Sequence, residues 1–111
     1  MAGGTILEGV NDTYKINISI NAQSDIEDAL GKSIFESLGD FNSIKTLRTI
    51  FTFGLRYGGR EKLNYTEAGE IMDDVIAKHS FKYLGEKLHT ELNRALKVEG
   101  ESDDSEGEEG K

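Results

Sequence analysis

The chain has 111 residues and a net charge of −8, and it contains neither cysteine nor proline. This length indicates a single domain that can bury a modest core. The lack of cysteine excludes disulfides and thiolate metal sites, and it fits a reducing compartment. No apolar run approaches the roughly 20 residues of a membrane helix, and no signal-peptide core follows Met1. We therefore expect a soluble, non-secreted protein.

The negative charge is concentrated at the C-terminal end. Residues 99–111 consist of Gly, Ser, Asp, Glu and one lysine, and they carry a net charge of −6. This composition predicts a disordered acidic tail, which is either a solubilising extension or a charged tether for a partner. Because an acidic protein gains little from counterion release at phosphates, we expect no nucleic-acid partner.

The N-terminal region predicts a β-hairpin over residues 5–22. Residues 5–10 form the first expected strand, although Gly9 weakens it, and Asn11-Asp12 has turn chemistry. Residues 14–22 form the second, because large apolar side chains alternate there with polar ones. The expected buried face of this strand comprises Tyr14, Ile16, Ile18 and Ile20.

Residues 24–97 predict three to four amphipathic helices, because apolar residues recur at spacings of three and four. Ser24 and Glu27 have the spacing of a capping box, Gly31 marks a kink or break, and Gly39 ends this region. The next helix is expected to begin near Asn42 or Ser43. The four apolar stripes are Ile26, Ala29, Leu30, Ile34 and Leu38; Ile44, Leu47, Ile50, Phe51 and Leu55; Ala68, Ile71, Met72, Val75 and Ile76; and Phe81, Leu84, Leu88, Leu92, Ala95 and Leu96.

Side chains off these stripes refine the prediction. Phe53 lies off the second stripe, so a second face of that helix is expected to be covered. Glu91 and Arg94 lie off the last stripe, and we assign them to a solvated face. The predicted fold class is mainly α with an N-terminal β-hairpin, an α+β domain spanning residues 1–98 that precedes the acidic tail at 99–111.

The stretch "FTFGLRYGGREKLNYTEAGEIMDD", residues 51–74, looks most like a functional motif. A phosphate-binding glycine loop follows a strand, whereas Gly58-Gly59 follows a predicted helix and lacks the lysine and hydroxyl of a P-loop. The two glycines fit a left-handed helix stop, and Asn64 with Glu67 fits the capping box of the next helix. We therefore interpret the stretch as a corner between helices with a basic rim.

The sequence offers no catalytic, cofactor or metal site. His79 and His89 are ten residues apart without the further ligands that zinc needs, and they fit helix-end or surface positions. Asp73 and Asp74 are adjacent, so on a helix they point about 100° apart and cannot readily share a substrate. We expect no enzymatic activity and no cofactor. Candidate partner-binding residues, with core packing as the alternative for the aromatic ones, are Phe53, Arg56, Tyr57, Arg60, Tyr65 and Tyr83.

With the helices placed, residues 25–98 resemble the small tail assembly chaperones of long-tailed bacteriophages and prophages. The segments that carry the resemblance are "LGKSIFESL", "IKTLRTIFTFGLRYGGREKLNYTEAGEIMDD" and the "EKLHTEL" helix that leads into a charged tail. In that family a helix ending in a Gly-Leu-Arg-like run precedes a Leu-Thr/Asn-x-x-Glu-x-Gly-Glu-Ile start, here Leu63 to Ile71. Asn64 stands where threonine is common, and asparagine also caps a helix.

The resemblance implies a non-enzymatic protein of the host cytoplasm that is not retained in the finished tail. It implies two partners, the tape measure protein, which the chaperone keeps soluble, and the tail tube protein, which it helps to recruit. A longer frameshifted form near Gly110-Lys111 and a homo-oligomer remain open. The alternative is a small phage-encoded regulatory or DNA-associated adaptor, against which the acidic charge argues.

Overall fold

A computed structural model describes residues 4–96 as an antiparallel hairpin followed by five helices. The strands are β1 (Thr5–Glu8) and β2 (Thr13–Ile16), and the helices are α1 (Ile20–Leu30), α2 (Ile34–Leu38), α3 (Ile44–Tyr57), α4 (Tyr65–Lys78) and α5 (Phe81–Leu96). The predicted mainly α fold with an N-terminal hairpin is confirmed. The predicted tail, residues 99–111, lies outside the described residues.

The hairpin packs against three helices. In its register Thr5 faces Ile16 and Glu8 faces Thr13, and the amide of Gly9 donates to the Asp12 carbonyl across the turn. β2 packs along α3, whereas β1 packs against α5 and α4. The core lies between one face of the hairpin and the apolar stripes of α3, α4 and α5, and α1 adds Ala22 and Ile26 to it.

The prediction that the second strand runs to residue 22 is wrong. Beyond Ile16, the amide of Asn17 donates to the Gly54 carbonyl on α3, so β2 stops pairing with β1. Ser19 then caps α1 by accepting a hydrogen bond from the amide of Ala22, which begins the helix well before the predicted Ser24. Ile18 is still buried, but Ile20 is 74 % exposed at the start of α1.

The predicted break at Gly31 is confirmed. Gly31 adopts a left-handed conformation with φ 71° and ends α1, and Ser33 with Glu36 forms the capping box of α2. Ser43 caps α3 as expected. The predicted core positions Ala29 and Ile44 are wrong, because Ala29 is exposed on α1 and Ile44 is 59 % exposed in the first turn of α3.

The corner after α3 contains the predicted end of one helix and start of the next, but only the second glycine is left-handed. Asn64 and Glu67 form both hydrogen bonds of the capping box that opens α4. Gly58 caps α3 with φ −89°, and Gly59 carries the positive φ of 126°. Gly58 is needed for space, because a Cβ there would lie 2.2 Å from the Lys15 carbonyl oxygen on β2. The double glycine therefore allows close packing of α3 on the hairpin as well as the turn.

Glu91 corrects the assignment of α5's polar residues. Its side chain is fully buried, not solvated, because it receives hydrogen bonds from the hairpin side of the core. Thr5 Oγ1 and the Ile18 amide each donate to it at 2.8 Å, and Arg94 forms a two-pronged ion pair with the same carboxylate. Arg94 itself is partly exposed. This carboxylate joins the start of β1, the segment between β2 and α1, and α5.

Candidate functional site

The structure brings three of the six predicted partner-binding residues together at the corner between α3 and α4. Phe53 is buried and meets the half-exposed Tyr65 edge to face, with ring centroids 6.3 Å apart. The Arg56 guanidinium lies 5.0 Å from the Phe53 ring centroid, and its Nε donates to the Leu63 carbonyl at 2.7 Å. Arg48 covers the Tyr65 ring at 5.7 Å. Much of the aromatic surface here is therefore already in contact with arginine.

The other three predicted residues lie apart from that cluster. Tyr57 lines a polar cleft of about 470 Å³ with Asp25, Arg56, Gly59 and Glu61. Its hydroxyl donates to Asp25 at 2.7 Å, and this hydrogen bond raises the pKa of Tyr57, with desolvation adding to it.

Arg60 and Tyr83 are both engaged with the hairpin. Arg60 pairs with Asp12 at 3.3 Å and lies over the Tyr14 ring. Tyr83 stacks on His79 with ring centroids 3.8 Å apart, and its hydroxyl accepts a hydrogen bond from the Glu8 amide. The predicted basic rim is thus divided among separate intramolecular contacts and does not form one continuous surface.

Asp74 stands out in the sequence only as one of two adjacent aspartates. In the structure it links the hairpin to α4 through hydrogen bonds. It accepts hydrogen bonds from the Tyr14 hydroxyl at 2.6 Å and from the backbone and side chain of Asn11. The Tyr14 hydrogen bond is the main cause that lowers the pKa of Asp74. Burial, followed by the Asp74 contact, raises the pKa of Tyr14 to about 12. These groups satisfy one another's hydrogen-bonding capacity.

An open groove that the sequence did not reveal runs along α5. It encloses about 670 Å³ and its lining is predominantly apolar. Phe41 and Leu47 form the side nearest α3, and Phe41 contacts His89 edge to face at 5.8 Å. Phe81, Gly85 and His89 form the side on α5, where a spacing of four residues aligns them along one helix face. Lys82, Glu86 and Thr90 complete the rim.

The groove was missed because its walls look like core positions in the sequence. Phe81 was assigned to the apolar stripe of the last helix, yet among residues 4–96 it is 42 % exposed in the first turn of α5. The recurrence of Phe81, Gly85 and His89 every four residues is the one available signal, since it marks a helix face separate from Leu84, Leu88 and Leu92.

Two further properties of the described residues concern metal binding and membrane crossing. Between residues 4 and 96, no three His, Asp or Glu side chains come together in a way that could hold a metal ion. None of the helices in that range combines the length and apolarity that a bilayer crossing needs. Comparison of the chain with models of known families, with curated proteins and with solved structures finds no match.

Proposed function

We propose that this chain is a non-enzymatic chaperone of phage tail assembly that binds the tape measure protein. It would act in the host cytoplasm, help to recruit tail tube subunits and be absent from the finished tail. The resemblance of residues 25–98 to tail assembly chaperones supplies these partners. The structural observation that supports partner binding is the open, predominantly apolar groove between Phe41 and Phe81.

The groove has the properties of a binding surface for an apolar segment. Its walls expose aromatic surface beside a packed core, and an apolar stripe laid into it would remove that surface from water. The charged residues of its rim, Lys82 and Glu86, face each other at 4.0 Å, so neither presents an uncompensated charge to an apolar ligand. This arrangement suits a partner that would aggregate through exposed apolar helices.

Co-expression with a tape measure fragment tests the proposal. The wild-type chain is expected to raise the soluble fraction of the fragment, and Phe81→Asp is expected to abolish that gain because it places a charge in the groove. Phe35→Asp is the matched control, since Phe35 is 62 % exposed on α2 and does not line the groove. Circular dichroism of each variant confirms that it folds.

A third variant separates the groove from the corner that the sequence favoured. Tyr65→Asp alters the aromatic and arginine cluster between α3 and α4 and leaves the groove intact. If Tyr65→Asp removes the solubilising effect while Phe81→Asp keeps it, the binding surface is the corner. If the wild-type chain does not raise the fragment's solubility at all, the chaperone function is refuted.

A further inference from the structure

Gly85 lies in the middle of α5, where the fold itself does not require glycine. A Cβ built there would meet no atom within 4 Å, in contrast with Gly9, Gly54 and Gly58, where it would press on neighbouring atoms. Gly85 also lacks the positive φ that would demand glycine. Glycine in a helix interior lowers helix stability relative to alanine. Its effect on the surface is to leave a gap in the groove wall between Phe81 and His89.

Such a gap allows the backbone of another helix to approach α5 closely. Small residues at a helix contact shorten the distance between helix axes, because ridges of the partner can enter the space that a side chain would fill. Phe81 and His89 stand one turn to either side of Gly85, so a ridge seated over Gly85 would be flanked by two rings. This geometry fits an α-helix crossing the groove.

The chain's own residues outside the described range are poorly suited to fill the groove. Residues 97–111 contain one large apolar side chain, Val98, and residues 1–3 contain only Met1 and Ala2 besides glycine. Residues 97–111 instead carry seven acidic and two basic side chains, a net charge of −5. They are attached at Leu96, about 10 Å along the helix axis from His89. A basic partner in the groove would therefore be attracted by this negative charge, which is tethered to the same helix.

We propose that the groove binds an amphipathic helix of another protein, with its apolar ridge over Gly85 and a basic outward face. The proposal rests on the proposed function in taking the groove as the partner-binding surface. It adds the point of closest approach and the charge of the partner. Lys82 and Glu86 offset each other on the rim, so the preference for a basic partner comes from the acidic residues after Leu96.

Two synthetic helical peptides of about 18 residues, roughly five turns, test the inference with the full-length chain. Both carry the same leucine and alanine stripe, and their polar faces are lysine in one and glutamate in the other. Fluorescence anisotropy at about 50 mM salt, where screening is weak, should show at least roughly tenfold tighter binding of the lysine peptide. Changing the seven acidic residues at 99–109 to their amides should remove this preference.

Gly85→Ala separates binding from stability. It should weaken binding of the lysine peptide by about tenfold through loss of close approach, and it should raise Tm by about 3–6 °C through better helix propensity. Gly69→Ala on α4 is the matched control, because a Cβ there makes only an ordinary 3.8 Å contact and lies outside the groove. It should raise Tm similarly and leave binding within about twofold.

The outcomes distinguish this inference from the tail-assembly function. Unchanged peptide binding by Gly85→Ala overturns the docking geometry, and equal binding of the two peptides overturns the charge preference. Because neither assay contains tape measure protein, a chain that binds the lysine peptide as described but fails to solubilise that protein supports the groove and refutes the phage function. A chain that solubilises the fragment but binds neither peptide refutes the groove.

Discussion

Glu91→Gln is the sharpest test of how the hairpin is held to the helices. The substitution keeps the shape of the side chain but replaces one carboxylate oxygen with an amide group that donates hydrogen bonds. In the wild-type chain both oxygens accept, one from Thr5 and Arg94 Nε, and the other from the Ile18 amide and Arg94 Nη2. Glutamine therefore cannot satisfy all four donors in either orientation.

The loss in free energy of unfolding is estimated for the more favourable of the two orientations of the glutamine amide. If the glutamine oxygen faces Ile18 and the amide faces Thr5, the hydroxyl can turn to accept, but Arg94 Nε loses its acceptor. Losing a charge-assisted hydrogen bond costs about 1.5–3 kcal/mol, and we take about 1 because Arg94 is partly exposed and can turn toward water. The bonds to Thr5 and Ile18 become neutral and the bond from Arg94 Nη2 loses its negatively charged acceptor, and together these changes cost roughly 1 kcal/mol more.

Urea and thermal unfolding followed by circular dichroism should therefore show that Glu91→Gln destabilises the fold by about 2–3 kcal/mol. For a domain of this size the corresponding drop in Tm is roughly 10–20 °C. Glu86→Gln is the control on the same helix, and it should change stability by less than about 0.5 kcal/mol because Glu86 is 66 % exposed. Equal effects of the two substitutions would refute the assignment of Glu91 as the link between hairpin and helices.

Three further predictions concern the turn of the hairpin and its contact with α4. Gly9→Ala should destabilise the fold by about 1–3 kcal/mol in urea unfolding, because its Cβ would lie 2.3 Å from Asp74 Oδ2 and 2.8 Å from the Tyr14 ring; an unchanged midpoint would contradict this packing. The lowered pKa of Asp74 contributes stability that is present above its unfolded value of 3.8 and is lost as pH falls through the folded value, so wild type should lose more stability than Asp74→Asn between pH 7 and pH 3. Parallel losses would show that the Tyr14 and Asn11 contacts do not favour the ionised carboxylate. Tyr14 should ionise at about pH 12 in an ultraviolet titration, identified by its absence in Tyr14→Phe, and its stabilising effect should be full below pH 10 and fade as pH rises toward 12; ionisation near pH 10 would mean that Tyr14 is neither buried nor bonded to Asp74 in solution.

The fold could be predicted where signals are local. The capping box of Asn64 and Glu67 lies within four residues, and its hydrogen bonds form within one helical turn. The capping-box pattern predicted the wrong helix start at Ser24. The Asn17 amide donates a hydrogen bond to the Gly54 carbonyl on α3, and Ser19 then caps α1 before Ser24 is reached. Residues 17 and 54 are far apart in sequence, so no local pattern could have shown this contact.

Long-range contacts also explain the misassigned side chains. Glu91 is polar and follows no apolar spacing, and its burial depends on Thr5 and Ile18, which lie more than 70 residues earlier. Phe81 has the correct spacing for the core, but it lies in the first turn of α5, and among residues 4–96 its side chain is 42 % exposed because its burial depends on how distant elements pack there. Residue type and periodicity indicate whether a side chain tends to be buried or exposed. The packing of segments that are distant in sequence determines which of the two occurs.

The two faces of α5 give the molecule a rigid side and an open side. Glu91 anchors α5 to β1 and to the segment that follows β2, and its burial favours one position of the helix because any shift would separate the carboxylate from its donors. Gly85 is six residues earlier and lies on a different face of the same helix. A helix fixed by one face can keep an unfilled groove on another without collapsing into it. The buried carboxylate therefore helps to hold α5 in the position that leaves the groove open.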